Sequence, residues 1–252
     1  MKQKPRLLAV VLAGGVLILA GVVLLSIFVI YPNTRAGQFA RANALLADDP
    51  AGAFDAFDRL GNYRDAQDRA RQIQADIFAS RTAETMEFGD RDWLVLEERG
   101  DNTLLLLQYV LPARVYHEAM MDITWEYSNI RQYLNSTFLN GFDEADRARI
   151  IETALFNRDS VDYGTYGGGD TLDHVFLLSL AEANLYFANA EDRIGRVDTR
   201  GSNRTWWLRS PGLYPYLAAT VVTDGTLGLT GSPVDGAWGM RYVRPALWVA
   251  AD

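Results

Sequence analysis

The segments DWLVLE (residues 92–97) and TLLLLQY (residues 103–109), separated by RGDN (residues 99–102), decide the fold of this chain. Two apolar runs on either side of a short polar segment with a glycine are typical of a β-hairpin. Before residue 88, apolar residues recur at intervals of three and four, which is the period of a helix. The hairpin therefore marks the start of a domain that contains strands, and we place this domain at residues 88–252.

Short strands alternate with short helices through the rest of the domain. A strand near residues 113–116 follows the hairpin, and helices are predicted near residues 129–139 and 144–151. Ser179 and Glu182 have the spacing of a capping box, which predicts a helix that begins after Ser179. Further strands are expected near residues 173–178, 205–209, 218–223, 226–230 and 239–250. The sequence thus predicts an α+β domain with short strands and long loops that contain glycine.

The segment before this domain, residues 34–83, is predicted to be a helical stalk. Asp49 followed by Pro50 is typical of a helix start, and Gly61 is typical of a helix end. These signals divide the stalk into three helices, near residues 36–47, 50–60 and 64–80.

Residues 7–30 form an uncharged and almost wholly apolar run. As a helix this run would extend roughly 36 Å, which is enough to cross a hydrocarbon core of about 30 Å. Lys2, Lys4 and Arg6 precede it, and basic flanks favour the cytoplasmic side. We therefore predict a cytoplasmic N-terminus at residues 1–6, a transmembrane helix at residues 7–30, and a single-pass plasma-membrane protein whose C-terminal domain is extracytoplasmic.

Composition excludes several classes of function. The formal net charge is −8, and Lys and Arg do not cluster in the C-terminal domain, so nucleic-acid binding is not expected. The chain has no cysteine, which excludes thiol catalysis, thiolate metal sites and disulfide bonds. No residue pattern indicates a cofactor. The partners that the sequence predicts are a lipid bilayer, contacted through residues 7–30, and an envelope glycan, a peptide or a membrane protein.

Four motifs between residues 93 and 249 resemble a bacterial family of membrane-anchored domains of unknown function. They are TWExSxIRxYLN (residues 124–135), VFLLSxxEA (residues 175–183), WWLRSPG (residues 206–212) and VRPALW (residues 243–248). The resemblance implies a fold similar to those of C-type lectins and formylglycine-generating enzymes. Formylglycine-generating enzymes work through paired cysteines, so their activity does not carry over to this chain. Residues 57–70 in turn resemble part of a tetratricopeptide-like (TPR-like) helical hairpin.

Five motif residues are the candidates for ligand binding, namely Trp206, Trp207, Arg209, Ser210 and Arg244. Consecutive tryptophans in a strand face opposite sides, so at least one is expected in the core, while the other could stack on a sugar or a peptide. The two arginines could clamp a carboxylate. Alternatively, each could close a structural ion pair with an acid such as Glu126 or Glu182, and for Arg244 we expect the structural role.

Catalytic and metal-binding patterns are weak in this sequence. His117 and His174 are its only histidines, and a two-histidine metal site would need carboxylates nearby. Asp173 and His174 are neighbours in a predicted strand, so their side chains would point apart, which prevents a relay to a serine. The loop at residues 157–173 has oxygen ligands for calcium, but its spacing follows no regular calcium loop. We predict no catalytic residue and no metal site.

These features favour a membrane-anchored, extracytoplasmic binding or sensing module with an unidentified ligand, held by loops near residues 206–212 and 164–170. One alternative is an enzyme that acts on envelope glycans or peptides with the carboxylates of residues 157–173. The other is a scaffold that recruits a partner through the helical stalk. An enzyme requires carboxylates about 5–9.5 Å apart across a cleft. A binding module requires an exposed aromatic ring beside polar groups, and a scaffold requires an apolar patch on its helices.

Overall fold

The computed structural model describes residues 34–251, which form a mixed α/β structure with several sheets. The chain divides into two compact units, one that ends at Arg71 and one that begins at Gln72. The division falls inside a helix, whereas the change from helix to strand that the sequence indicates lies at residues 83–88.

The first unit is helical. Its elements are α1 (Arg35–Leu45), α2 (Pro50–Leu60) and the start of α3 (Ala66–Ser80). Thr34 and Asp49 cap the first two helices, since their side-chain oxygens accept backbone N–H bonds of 3.0 and 2.9 Å. Phe39 of α1 packs edge-on against Phe57 of α2, with ring centroids 5.5 Å apart. The three helices predicted in residues 34–83 are therefore present, within a few residues of their predicted bounds.

The predicted transmembrane helix is contradicted. Within residues 34–251, no helix is both long and apolar enough to cross a membrane. The longest, α3, has 15 residues and extends about 22 Å, which is short of a hydrocarbon core of about 30 Å. The predicted span at residues 7–30 and the predicted cytoplasmic segment at residues 1–6 lie outside the described residues. The predictions of a membrane-anchored architecture, a single-pass topology and a plasma-membrane localisation are therefore corrected. The described residues form a mixed α/β structure, and no membrane helix is found among them.

The second unit is built mainly from strands. In chain order they are β1 (Thr85–Phe88), β2 (Arg91–Arg99), β3 (Asn102–Leu107), β4 (Leu111–Arg114), β5 (Ile150–Ile151), β6 (Thr153–Leu155), β7 (Thr171–Asp173), β8 (Gly195–Arg196), β9 (Asn203–Arg204), β10 (Trp206–Pro211), β11 (Leu217–Val221), β12 (Leu227–Pro233), β13 (Arg241–Val243) and β14 (Ala246–Ala250). The short helices are α4 (Asn129–Tyr133), α5 (Glu144–Arg149), α6 (Leu180–Leu185) and α7 (Ala190–Arg193). A 3₁₀ turn, Trp125–Tyr127, precedes α4, and a π-helical turn, Leu134–Phe138, followed by a 3₁₀ turn, Leu139–Gly141, extends it.

Two five-stranded sheets form the centre of this unit. The first has the order β1, β2, β3, β14, β5 and is antiparallel, and it contains the predicted hairpin of β2 and β3. The second has the order β12, β11, β10, β13, β4, and β10 runs parallel to β13. Two small hairpins, β6 with β7 and β8 with β9, complete the strands. Strand β10, which carries the tryptophan pair, is the middle strand of its sheet.

One predicted strand is split in two and another is not formed, because the chain passes between sheets. The closing strand predicted at residues 239–250 is two strands, β13 in one sheet and β14 in the other, and Arg244 and Pro245 connect them. Pro245 has no N–H to donate to a continuous ladder. The strand predicted at residues 173–178 is wrong: β7 ends at Asp173, and after it Phe176 makes only a single bridge to β14.

Candidate binding face

The five candidate residues lie inside the second unit. Trp206 and Trp207 are fully buried, Arg209 and Arg244 are 5 % and 2 % exposed, and Ser210 is half-buried. A ligand that arrives from solution would therefore meet other residues first. Ligand binding by these five residues stays a prediction.

The two tryptophans face opposite sides of β10, and both sides are covered. Trp207 packs edge-on against the buried ring of Tyr116, with centroids 5.5 Å apart. Trp206 lies under the guanidinium of Arg244, 5.3 Å from its ring centroid, and its indole N–H donates to the carbonyl of Arg193 at 3.1 Å. Neither ring reaches solvent, because Tyr116 covers Trp207 on one side of the strand and Arg244 covers Trp206 on the other.

Arg209 and Ser210 hold the start of α6. Arg209 donates to both carboxylate oxygens of Glu182, at 2.9 Å for Oε1, and to the carbonyl of Leu177 at 2.9 Å. Ser210 Oγ accepts the N–H of Leu180 at 2.9 Å. Glu182 also completes the predicted capping box with Ser179. The ion pair predicted between Arg209 and Glu182 is thus confirmed.

Arg244 is buried as predicted, but its partners differ from the expected acid. Its guanidinium donates to three backbone carbonyls, those of Leu107 at 2.9 Å, Arg193 at 3.2 Å and Gln108 at 3.3 Å. Burial lowers the pKa of Arg244 to about 9, so the group remains charged at neutral pH. The partners are carbonyls because Arg244 lies where the chain crosses between the two sheets, next to the end of β3.

A buried carboxylate, Asp173, ties the first motif to β7. Asp173 is 1 % exposed and accepts hydrogen bonds from Trp125 Nε1 at 2.9 Å, Arg131 Nε at 2.6 Å and Thr171 Oγ1 at 2.8 Å. Both carboxylate oxygens are used in this way, and no bond joins Asp173 to its neighbour His174 in the part of the chain that the structure describes. The network instead fixes the 3₁₀ turn Trp125–Tyr127 at the surface.

The long loop between β6 and β7, residues 156–170, is held in shape by its own carboxylates. Asp170 accepts the N–H of Asn157 at 2.9 Å, and Asp159 accepts the N–H of Gly167 at 2.9 Å. Thr165 anchors the loop by donating to the carbonyl of Leu213 at 3.0 Å. Among residues 34–251, no three acidic or histidine side chains converge as metal ligands.

Four segments meet on one surface, which we name the tyrosine face: residues 116–127, 159–170, 213–217 and 234–240. The short segment 213–217 is the centre, because its backbone carbonyls accept hydrogen bonds from each of the other three. The bonds are Thr165 Oγ1 to Leu213 at 3.0 Å, Ile123 N to Pro215 at 3.1 Å and Val234 N to Tyr216 at 3.2 Å. Gly168 also approaches Thr124 so closely that a β-carbon there would lie 2.7 Å from the threonine side chain. The four segments therefore form one continuous surface.

Exposed large apolar side chains concentrate on the tyrosine face. Tyr214 and Tyr216 stack at its centre, with centroids 5.4 Å apart and an interplanar angle of 15°, and they are 49 % and 36 % exposed. Apart from Leu172, every exposed large apolar side chain described in the second unit belongs to this face: Met120, Met121, Tyr127, Val161, Tyr163, Tyr166, Tyr214, Tyr216, Trp238 and Met240.

Acidic groups lie among these rings. A hydrogen bond to Glu126 and the charge of the same carboxylate raise the pKa of Tyr127, and the nearby Tyr166 contributes in the same direction. Glu126 Oε2 also accepts the N–H of Gly169 at 3.2 Å, which joins two segments of the face. The face thus presents aromatic rings beside carboxylates.

None of these tyrosines was among the site residues predicted from the sequence. The available signal is that they occur in YGTYG (residues 163–167) and PGLYPYL (residues 211–217). Aromatic residues flanked by Gly and Pro have no strand or helix period that would place them in a core. Such residues are candidates for loop surfaces.

Two open clefts lie outside the tyrosine face. One, of about 350 Å³, is lined by residues that include Glu87, Asp90 and Asp92. The other, of about 610 Å³, is lined by residues that include Arg81 and Tyr186. Arg81 spans the second cleft, where it donates to the carbonyls of Leu96 and Tyr186 at 2.7 and 2.9 Å. The guanidinium of Arg81 therefore stabilises the fold through these two hydrogen bonds.

The family of the chain is shown by a match over residues 100–251 to the model of a domain of unknown function, DUF6273. The match spans more than half of the chain, so the chain belongs to this family. No curated protein and no solved structure matches the chain. The matched region contains the whole tyrosine face and all four sequence motifs.

Proposed function

We propose that this DUF6273 chain is a ligand-binding module and that the tyrosine face is its binding surface. The observation that carries the proposal is the stacked, half-exposed pair Tyr214 and Tyr216 at the centre of four converging segments. Tyrosine offers large, rigid contact area at low cost in conformational entropy. Concentrated exposed apolar side chains mark sites of interaction.

The loops of the face rest on a rigid base, which suits a binding role. Asp173 fixes the turn that carries Tyr127, and the β6–β7 hairpin closes the base of the loop that carries Tyr163 and Tyr166. Binding residues are commonly found on loops that a rigid scaffold positions.

The resemblance to C-type-lectin-like folds supports the same proposal, because it implies that loops between short strands present the ligand site. The enzyme and scaffold functions stay predictions. The enzyme function would use carboxylates of residues 157–173 as acid and base, and two of these, Asp159 and Asp170, each accept a backbone N–H within their loop. The scaffold function would use the TPR-like helices of the first unit.

The proposal is tested by selecting ligands with the whole protein. A random peptide library and a panel of immobilised oligosaccharides are screened against the parent and against the double variant Tyr214→Ala/Tyr216→Ala. Ligands that the parent selects should be lost in the variant, because their central contact area is removed.

The matched control is Leu172→Ala, which removes an exposed apolar side chain outside the face and should retain every ligand. If the selected ligands bind the tyrosine variant as well as they bind the parent, the tyrosine face is not the binding surface. An absence of selected ligands from both collections would likewise contradict the proposal.

A further inference from the structure

The negative charge of the chain is concentrated on the tyrosine face. Its four segments contain seven acidic residues and neither lysine nor arginine, whereas the whole chain has a formal net charge of −8. The acids are Glu118, Asp122, Glu126, Asp159, Asp162, Asp170 and Asp235. The acids and bases of the remaining chain nearly cancel, so the acidity is a local property of this surface.

Several of these carboxylates are not neutralised by an ion pair in the part of the chain that the structure describes. Glu118 and Asp122 are exposed, and neither side chain makes a hydrogen bond or ion pair within residues 34–251. Asp159, Asp170 and Asp235 each accept a backbone N–H, but none forms an ion pair with an arginine in that part of the chain. A backbone N–H carries no net charge, so the negative potential of these groups remains.

Two arginines directly border the segments, and each makes contacts of its own. Arg241 donates to the carbonyls of Trp238 and Gly239, at 3.2 and 2.6 Å, and so supports the loop that carries the exposed indole. Arg158 lies 5.1 Å from the ring centroid of Phe156. Both guanidinium groups are thus engaged at the border.

The arrangement of the charges indicates the form of the ligand. No three of the acidic or histidine side chains described converge on one point, so the face is not built around a single small cation. The carboxylates are instead spread among exposed rings over four segments. This pattern matches a chain with several separated positive charges.

We infer that the ligand of the tyrosine face is a cationic polypeptide segment, whose arginine or lysine side chains lie over the tyrosine rings and beside the carboxylates. This inference rests on the proposed function and names its ligand class. A guanidinium stacks on aromatic rings and pairs with carboxylates at the same time. Tyr, Trp and Met supply the apolar contacts that protein interfaces favour. Nucleic acid and anionic lipid would be repelled by the same charges.

The face contains its own optical reporter. Trp238 is 69 % exposed, whereas Trp93, Trp125, Trp206 and Trp207 are buried and Trp248 is half-buried. A ligand on the face should change the fluorescence of Trp238, and Trp238→Phe should remove that response.

The probes are three: a short synthetic peptide in which arginine alternates with serine and leucine, the same peptide with citrulline in place of arginine, and chitohexaose. Citrulline retains the shape of arginine without its charge. We expect the arginine peptide to bind the whole protein, its affinity to fall as salt is raised, and the citrulline peptide to bind at least about tenfold more weakly. Chitohexaose should not bind.

Two variants locate the interaction. Glu118→Gln/Asp122→Asn removes two charges without breaking a contact of the fold, and it should weaken the arginine peptide several-fold. Glu152→Gln/Glu191→Gln removes two exposed acids outside the face and should leave the affinity unchanged. Equal binding to both variants would show general attraction to an acidic protein and would overturn the inference.

The remaining outcomes separate the inference from the proposed function. If the citrulline peptide or chitohexaose binds as well as the arginine peptide, and Tyr214→Ala/Tyr216→Ala abolishes that binding, the ligand class is wrong and the binding face stands. If the arginine peptide binds and the tyrosine variant retains it fully, both are wrong.

Discussion

Strand β10 and the segment that follows it, residues 213–217, differ in exposure although Gly212 alone separates them. β10 buries both tryptophans and Arg209, whereas the following segment leaves its two tyrosines 49 % and 36 % exposed. A β-carbon at Gly212 would lie 2.5 Å from the carbonyl oxygen of Thr230, so the chain turns where only glycine fits. At this motif, the residues that carry the family resemblance build the scaffold, and the residues just beyond them form the surface.

Because of this difference in exposure, substitutions in the two regions are expected to change the free energy of unfolding by different amounts. The charged groups of the scaffold are removed from water, so each must be matched by a partner. The exposed rings of the tyrosine face and the carboxylates of Glu118 and Asp122 remain in water, so their replacement changes the stability of the fold little. Substitutions in the two regions therefore test the contrast directly.

The largest effect is expected for Arg209→Ala. Glu182 would lose its bidentate partner in a site where the two side chains are 4 % and 15 % exposed. Loss of one partner of a buried pair costs about 3–5 kcal/mol, so the urea midpoint should fall sharply. Arg200→Ala, at an exposed position, is the control and should stay within about 0.5 kcal/mol of the parent. An unchanged urea midpoint for Arg209→Ala would show that this residue of β10 does not stabilise the scaffold.

Arg244→Ala is expected to have the next largest effect. It would leave three carbonyls without their donor, and an unsatisfied buried polar group costs about 1–3 kcal/mol. Because no buried acid is left unpaired, we expect a loss of about 3 kcal/mol in the free energy of unfolding. Denaturant titration measures it, and a loss below about 0.5 kcal/mol would show that Arg244 is not structural.

The pH dependence of stability tests the buried hydroxyls of the scaffold. Burial raises the pKa values of Tyr186 and Tyr116 above their usual value of 10.0, and the charge of Glu97 raises that of Tyr186 further. The folded state then holds protons that the unfolded chain releases, so the contribution of these two hydroxyls to stability is full below about pH 10 and falls as pH rises above it. Arg244, whose pKa is lowered, acts in the opposite direction.

Arg244 acts alike on the parent and on Tyr186→Phe, so the test compares their thermal unfolding between pH 8 and pH 11. As pH rises above about 10, the parent should lose stability relative to Tyr186→Phe, because the variant lacks one of the two hydroxyls. Tyr214→Phe changes an exposed hydroxyl and serves as the control. An equal decline in the parent and in Tyr186→Phe would contradict the role of the buried hydroxyl.

The smallest effect on stability is expected for Tyr214→Ala/Tyr216→Ala. Both rings are substantially exposed, so the double variant should unfold within about 1 kcal/mol of the parent. The same variant should lose ligand binding entirely. A large loss of stability would show that the stacked pair belongs to the scaffold, and the contrast between the two regions would fail.

Local signals in the sequence predicted much of the fold. The hairpin of β2 and β3 followed from two apolar runs around Gly100, and the start of α6 followed from the spacing of Ser179 and Glu182. These features depend on residues close together in the chain.

Long-range contacts could not be predicted in the same way. Two of the three partners of Asp173 come from residues 125 and 131, more than 40 positions earlier, and the carbonyls around Arg244 come from the end of β3 and from α7. The break between β13 and β14 results from the passage of the chain between sheets. For the same reason, the motif tryptophans gave no indication of the tyrosines that lie at the surface beyond them.

The loop between β6 and β7 separates the residues that hold its shape from those at its tip. Asn157, Asp159 and Asp170 bond the two ends of the loop to each other, and Thr165 fixes it to the next segment. The exposed positions 161, 163 and 166 are then open to exchange of side chains while the backbone keeps its course. Related proteins could change their ligand preference at these positions at little cost in folding, and the same positions are suitable for randomisation in a designed binder library.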